Sequence, residues 1–267
     1  MHSDPFSAFK DRQREMWSSF GPTATFTTPV AASLVRFAGV SSGERVLDVG
    51  TGTGVAAITA ARAGARVSGI DLTPALLKEA PEHARIAGIP DIEWIEGDVE
   101  HLPFADGTFD VVLSQFGHMF APQPERTVAE MRRVLKPSGR IAFATWPPEQ
   151  LVAQVFAFVA RNSPAPPVAV PPPLLWGDAT VIAQRLAHGF GAPTFERGVM
   201  TVPALSLPHY RTFLERSVGP VQKLVESAAD SPERLAALRA EFEAIAAPFY
   251  ADNVVRQEYL LTRADAR

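Results

Sequence analysis

Nine residues, Val46-Leu47-Asp48-Val49-Gly50-Thr51-Gly52-Thr53-Gly54, constrain the fold of this chain more than any other segment. They begin as a strand-like apolar run, turn through three alternating glycines and pass into an alanine-rich stretch of helical character. Glycine permits the tight turn and leaves no side chain between the backbone and a ligand. A loop of this kind lies at the carboxyl end of a strand beside a helix N-terminus, which is where open α/β sheets bind their ligands.

The flanking sequence supplies such a sheet. From Glu44 to Trp146, short β-branched runs alternate with longer helix-like segments, the pattern of parallel strands covered by crossover helices. Strands are predicted at Arg45–Val49, Arg66–Asp71, Ile92–Ile95, Phe109–Ser114 and Arg140–Trp146, and their apolar runs imply burial on both faces. Helices are predicted at Ala56–Ala63, from Pro74 to Ala87 behind an N-cap at Thr73, and at Pro124–Leu135, where Lys136-Pro137-Ser138-Gly139 stops the last. After Trp146 the rhythm changes. A helix-like stretch, Gln150–Arg161, leads into Pro164-Ala165-Pro166-Pro167 and Pro171-Pro172-Pro173, which favour a stiff polyproline connection. A helix near Asp178–His188, a strand at Phe195–Val202, helical segments within Pro208–Ala247 and a closing strand at Val254–Thr262 follow. The expected architecture is an α/β, Rossmann-like doubly wound sheet, mostly parallel with an antiparallel last strand, plus a helical cap. Its expected segments are an N-terminal helical lid (1–40), a core (41–162), a proline-rich connection with a helix and the sixth strand (163–205), a cap (206–252) and the closing strand (253–267).

Composition removes several function classes. At 267 residues with 46% hydrophobic and 20% charged content, a folded globule with a sizeable core is expected. Lysine and arginine (25) against aspartate and glutamate (29) leave −4, and the basic residues are scattered, so nucleic acid is not an expected partner. The absence of cysteine excludes disulfides, thiolate metal sites and cysteine nucleophiles. The polar start MHSDPFSAFKDRQREMW lacks the apolar stretch of a signal peptide, and no run is long enough to cross a bilayer, so a cytoplasmic location without membrane insertion is expected. The histidines at 2, 83, 101, 188 and 209 show no paired ligand spacing, and no metal is expected.

Dinucleotide loops typically read G-x-G-x-x-G, whereas here the third glycine comes one residue early. Asp48-x-Gly50-x-Gly52-x-Gly54 resembles the first motif of class I S-adenosylmethionine-dependent methyltransferases, of the ubiquinone/menaquinone-biosynthesis-like group. Gly97-Asp98-Val99-Glu100-His101-Leu102-Pro103-Phe104 resembles their adenine-binding segment, and Phe109–Val112 and Arg133–Arg140 resemble their fourth strand and the turn into the fifth. The resemblance implies S-adenosylmethionine as methyl donor and S-adenosylhomocysteine as product. It implies that Asp48 organises the cationic methionyl amine above Gly50, Thr51 and Gly52, that Asp98 accepts from the adenine amino group beside Val99, and that the Ser114 and Gln115 backbone approaches the amine. Asp71, at the end of the second strand, suits both ribose hydroxyls, with Leu72 on the adenine face; NAD enzymes use the same device.

Ser114-Gln115-Phe116-Gly117-His118-Met119-Phe120 is expected to open the acceptor pocket, lined by Phe116, His118 and Phe120. His118 is the candidate general base because its ordinary pKa lies near neutrality. Trp17 and Phe20 are candidates to close a lid over the donor, and Tyr210, Phe213 and Tyr250 to complete the acceptor pocket. Packing against the sheet or within helices accounts for these aromatics too. The expected activity is transfer of a methyl group to a small, hydrophobic or aromatic metabolite at oxygen, nitrogen or carbon. An NAD(P)-dependent oxidoreductase and a non-catalytic donor-binding module stay open as alternatives, as do monomer and homodimer.

Overall fold

The computed structural model describes residues 4–165 and 168–267, so the first three residues of the expected lid and Pro166-Pro167 of the expected proline connection lie outside the described residues. Among the described residues, helices are α1 (Ser7–Trp17), α2 (Ala24–Ala38), α3 (Val55–Arg62), α4 (Pro74–Ile86), α5 (Pro124–Val134), α6 (Leu151–Asn162), α7 (Ala179–Leu186), α8 (Leu207–Ser217), α9 (Gly219–Glu226) and α10 (Pro232–Ala246). Strands are β1 (Arg45–Val49), β2 (Arg66–Asp71), β3 (Glu93–Glu96), β4 (Phe109–Gln115), β5 (Leu135–Thr145), β6 (Thr194–Pro203), β7 (Tyr250–Ala251) and β8 (Val254–Asp265).

One sheet runs in the order β3-β2-β1-β4-β5-β8-β6, with β7 paired to β8. β1 to β5 are parallel, while β8 lies antiparallel between β5 and β6. This is the Rossmann-like, mostly parallel sheet expected from the sequence, with its antiparallel end strands. The central strands bury consecutive residues: Val111, Val112 and Leu113 in β4, and Ile141 to Ala144 in β5, are all 0% exposed. Successive side chains point to opposite faces, so both faces of the sheet are covered.

Local chemistry accounts for the element ends. Gly39 closes α2 in the left-handed region, with Gly39 N–H donating to Arg36 and Val40 N–H to Val35. Asp178 caps α7 by accepting from Thr180 and Val181 backbone amides, and Ser206 caps α8 through His209 N–H. β7 returns into β8 through Asp252 and Asn253, both at positive φ (54° and 59°), the geometry of a tight hairpin turn.

Three local expectations change. β5 begins at Leu135 instead of Arg140, because Phe109 pairs with Leu135 and Val111 with Arg140, so Lys136 to Gly139 bulge out of one continuous strand. β3 is displaced by one residue, to Glu93–Glu96. Residues 24–38, expected within a lid, form a core helix: Val30, Leu34 and Ala38 are buried and α2 packs on β4, β5, β6 and β8. α1 and the turn after it reach the strand ends, and so does the first turn of α2 with Ala24, Phe26 and Thr27. The cap helices α8, α9 and α10 intervene between β6 and β8.

Phe143 in β5 is 0% exposed and packs against both His118 and Trp176. Phe143→Ala is expected to lower unfolding free energy by about 3–5 kcal/mol through lost burial and the cavity it leaves. Urea denaturation checks this, and a midpoint unchanged from wild type would place the core elsewhere.

Candidate active site

The cavity forms where the loops leaving β1 and β4 meet. A Cβ on Gly50 would lie 2.7 Å from Gly117 Cα, and one on Gly117 would lie 2.7 Å from Gly50 Cα and O. The two backbones therefore touch directly, and Gly50 also has φ +65°, a conformation that a side chain disfavours. Ser114 fastens the same junction from beneath: its Oγ donates to Val49 O (2.7 Å) and accepts from His118 N–H (3.1 Å). Phe116, between them, holds φ 62°, a strained position for a non-glycine residue, and its ring stacks on Trp146 at 3.9 Å and 5°.

Around this junction the cavity is lined by Asp48, Gly50, Thr51, Gly52, Asp71, Leu72, Gly97, Asp98, Val99 and Gln115, drawn from the ends of β1, β2, β3 and β4. Asp48 Oδ2 accepts from Thr51 Oγ1 (2.7 Å) and Ala57 N–H (3.0 Å), while Oδ1 is buried without a partner. Complete burial pushes the Asp48 pKa up to about 7, against the hydrogen bonds from Thr51 and Ala57. Gln115 Nε2 donates to Thr27 O (3.0 Å), and its Oε1 is likewise buried and unpartnered. Two residues that line the same cavity thus each keep a buried acceptor without a partner. Asp71 accepts at Oδ2 from Gly52 N–H and at Oδ1 from Thr73 N–H, each at 2.8 Å. Burial raises its pKa despite those bonds.

An ion cluster absent from the sequence reading ties α1 over this edge. Lys10 Nζ lies 2.6 Å from Asp4 Oδ2, Asp98 Oδ2 and Glu100 Oε2, and the residue is 5% exposed. Burial alone would lower the lysine pKa, but three carboxylates hold it above its usual range. The three carboxylates are the one group among the described residues spaced to share a cation, and the ammonium stands among them. Asp98 Oδ1 accepts from Glu100 N–H, so its carboxylate keeps free lone pairs towards the cavity. Trp17 and Phe20 also line the cavity, with Trp17 against Phe20 (5.4 Å) and Phe120 (4.6 Å).

Beyond the glycine loop the cavity becomes apolar. Phe116, Phe120, Tyr210 and Phe213 line it together with Trp146 and Met200, which the sequence reading missed. Two expected residues lie outside the cavity, and a third has a different role. Ser114 does not line the cavity, because its hydroxyl is engaged behind the glycine junction. Tyr250 stands outside it, its hydroxyl bonded to Ala204 O and Asn253 Oδ1. His118 lines the cavity as expected but is corrected as a base: its ring lies 4.6 Å from Phe143 and 4.5 Å from Trp176, and both ring nitrogens are buried without a partner. Burial, then the nearby Arg185 charge, pushes its pKa down to about 3, leaving a weakly basic neutral ring.

Comparison with known proteins gives this geometry a family. Residues 47–143 match the model of a methyltransferase domain. An uncharacterized protein of Mycobacterium tuberculosis is 35% identical over 256 residues, covering 94% of this chain and 93% of its own length. The demethylmenaquinone methyltransferase of Renibacterium salmoninarum is 40% identical over 111 residues, 42% of this chain and 45% of that protein. The solved YcgJ protein of Bacillus subtilis shares the fold, with a TM-score of 0.59 at 18% identity over 89% of this chain and 98% of that one. The chain belongs to the class I S-adenosylmethionine-dependent methyltransferases. It is accordingly an enzyme of methyl transfer with S-adenosylmethionine as cofactor, and the nicotinamide alternative falls away. Among the described residues no helix is long and apolar enough to cross a membrane.

The apolar setting of His118 gives a direct check. His118→Leu is expected to leave turnover within about twofold of wild type and stability unchanged or higher, since no hydrogen bond is lost. A large fall in turnover with undiminished S-adenosylhomocysteine affinity would restore the imidazole to the chemistry.

Proposed function

We propose that this enzyme methylates a small, apolar or aromatic metabolite at an oxygen, nitrogen or carbon nucleophile by in-line displacement. The observation that carries this reading is the change in character along one cavity. Carboxylates and backbone amides crowd the strand ends, whereas Phe26, Trp146, Val155, Phe156, Met200 and Phe213 line the part under the cap. Such a lining rewards burial of apolar surface and offers a charged metabolite no counter-ion.

When bound, S-adenosylmethionine supplies a methyl group already activated on a sulfonium centre. The chain's own residues then have chiefly to hold and orient. In this reading Asp48 Oδ1 and Gln115 Oε1 receive the methionyl ammonium, Asp71 accepts from the ribose hydroxyls, and Asp98 with Val99 receives the adenine. Thr51, Gly52, Leu72 and Gly97 shape the surface between them, while Ser114 holds the loop from behind. Trp17 and Phe20, kept in place through the Lys10 tie of α1, exclude water from the donor. Phe116, held by Trp146, and Phe120 mark the passage from donor to acceptor. Among the described residues no side chain in the apolar half is a competent base: the His118 ring nitrogens are buried and burial holds its pKa low, and Tyr210 is kept as a neutral phenol. The acceptor therefore enters uncharged and yields its proton to solvent.

Incubation with S-adenosylmethionine and pools of apolar and polar metabolites tests the reading by mass spectrometry. A methyl-sized gain confined to apolar acceptors is expected; a gain confined to highly charged acceptors would contradict it.

Asp48 makes the donor half pH-dependent. Its folded pKa, raised by burial to about 7 from 3.8, means that the folded chain holds this proton more tightly than the unfolded chain between those values, so ligand-free stability falls as pH rises across that window. Pairing with a cationic amine favours the ionised carboxylate, so S-adenosylhomocysteine is expected to bind about tenfold more tightly at pH 8 than at pH 6. Asp48→Asn should flatten that dependence in calorimetric titration. A wild-type affinity that is constant across the range would remove Asp48 from the amine site.

A further inference from the structure

The apolar part of the cavity contains a polar pair that neither the donor nor the sheet requires. Tyr210 on α8 and Gln257 on β8 both line it, and they are 2% and 6% exposed. Gln257 Nε2 donates to the Tyr210 phenolic oxygen at 2.8 Å. That single bond fixes the phenol as an acceptor towards Gln257 and turns its own proton elsewhere, where no atom of the described residues receives it. Gln257 Oε1 likewise receives no hydrogen bond, and packing does not seal it from the cavity. Tying α8 to β8 uses one donor and one acceptor of the pair and leaves the phenolic O–H and Gln257 Oε1, a donor and an acceptor, side by side. Leaving such groups buried and unused is unfavourable, so a cavity ligand that satisfies both gains accordingly.

We propose that Tyr210 and Gln257 form an anchoring subsite for a hydroxyl group carried on an apolar ring. The phenolic O–H donates to the ligand oxygen, and the ligand O–H donates to Gln257 Oε1. Both proton positions are filled, no charge is buried, and the ring lies among Phe213, Leu214, Met200 and Val202, which line the same region. Burial holds the Tyr210 phenol in its neutral form well beyond the usual range, so it acts as a donor that positions the ligand. The inference rests on the reading of the apolar half as the acceptor site, and it narrows the acceptor to hydroxylated apolar aromatics.

The probes are 2-naphthol and naphthalene, which differ only in the hydroxyl, titrated calorimetrically into the full chain with and without saturating S-adenosylhomocysteine. Wild type is expected to prefer 2-naphthol about tenfold, the scale of one or two neutral hydrogen bonds. Tyr210→Phe should collapse that preference while leaving naphthalene and S-adenosylhomocysteine affinities unchanged, and Gln257→Leu should reduce it. The proposal is overturned if wild type binds neither probe, if it does not discriminate between them, or if Tyr210→Phe weakens both alike. Loss of S-adenosylhomocysteine binding in wild type would count instead against the donor site, independently of the probe results.

Discussion

The contact of Gly50 with Gly117 is the constraint on which the remaining geometry depends. Two loops that leave neighbouring strands, β1 and β4, meet backbone to backbone, with room for no side chain on either. The approach brings Asp48, at the end of β1, and Gln115, at the end of β4, onto one cavity wall with an unpartnered oxygen each. Ser114 bonds both sides of the junction, and Phe116 keeps a left-handed backbone beside it, stabilised by stacking on Trp146. A parallel sheet whose central residues are buried on both faces gives these loops a rigid base.

Electrostatics around this junction is arranged by burial as much as by pairing. Asp48 and Asp71 sit in the sheet edge without a cation beside them, so desolvation raises both. Asp98 and Glu100 are instead paired with Lys10 from α1. The result is a donor half with carboxylates free to meet a cation at one end and a closed ion cluster at the other. The apolar half opposes this with aromatic walls and one uncharged polar pair. A methyl donor that carries its own positive charge and an acceptor that carries none fit that division.

The sheet was legible in the sequence because its signals are local. Apolar runs mark β1, β2, β4 and β5, and Thr73-Pro74 and Gly88 bracket α4 within a residue or two. The alternating glycines, Asp71 and the Asp98 turn identified the cavity-lining edge for the same reason. What escaped depends on long-range contacts. Lys10 meets Asp98 and Glu100 across 88 and 90 residues, and nothing near Lys10 marks it as different from the charged residues of the same helix. Ser114 and Gly117 stood inside the segment read as pocket-lining, but their role is set by Val49 and Gly50 on another strand. His118 was legible as a histidine near the donor and illegible as a buried ring, since Phe143 and Trp176 close over it from distant segments. Asp252-Asn253 did carry a local hairpin signal, two residues that tolerate positive φ ahead of a β-branched run.

A crystal structure with S-adenosylhomocysteine tests the central claim most directly. The expected result is density for the nucleoside along the ends of β1, β2 and β4, with both ribose hydroxyls within hydrogen-bond distance of Asp71, the adenine beside Val99 and the amine at Asp48 and Gln115. Ligand density on another surface, or a ribose turned away from Asp71 with the glycine junction bare, would contradict the account.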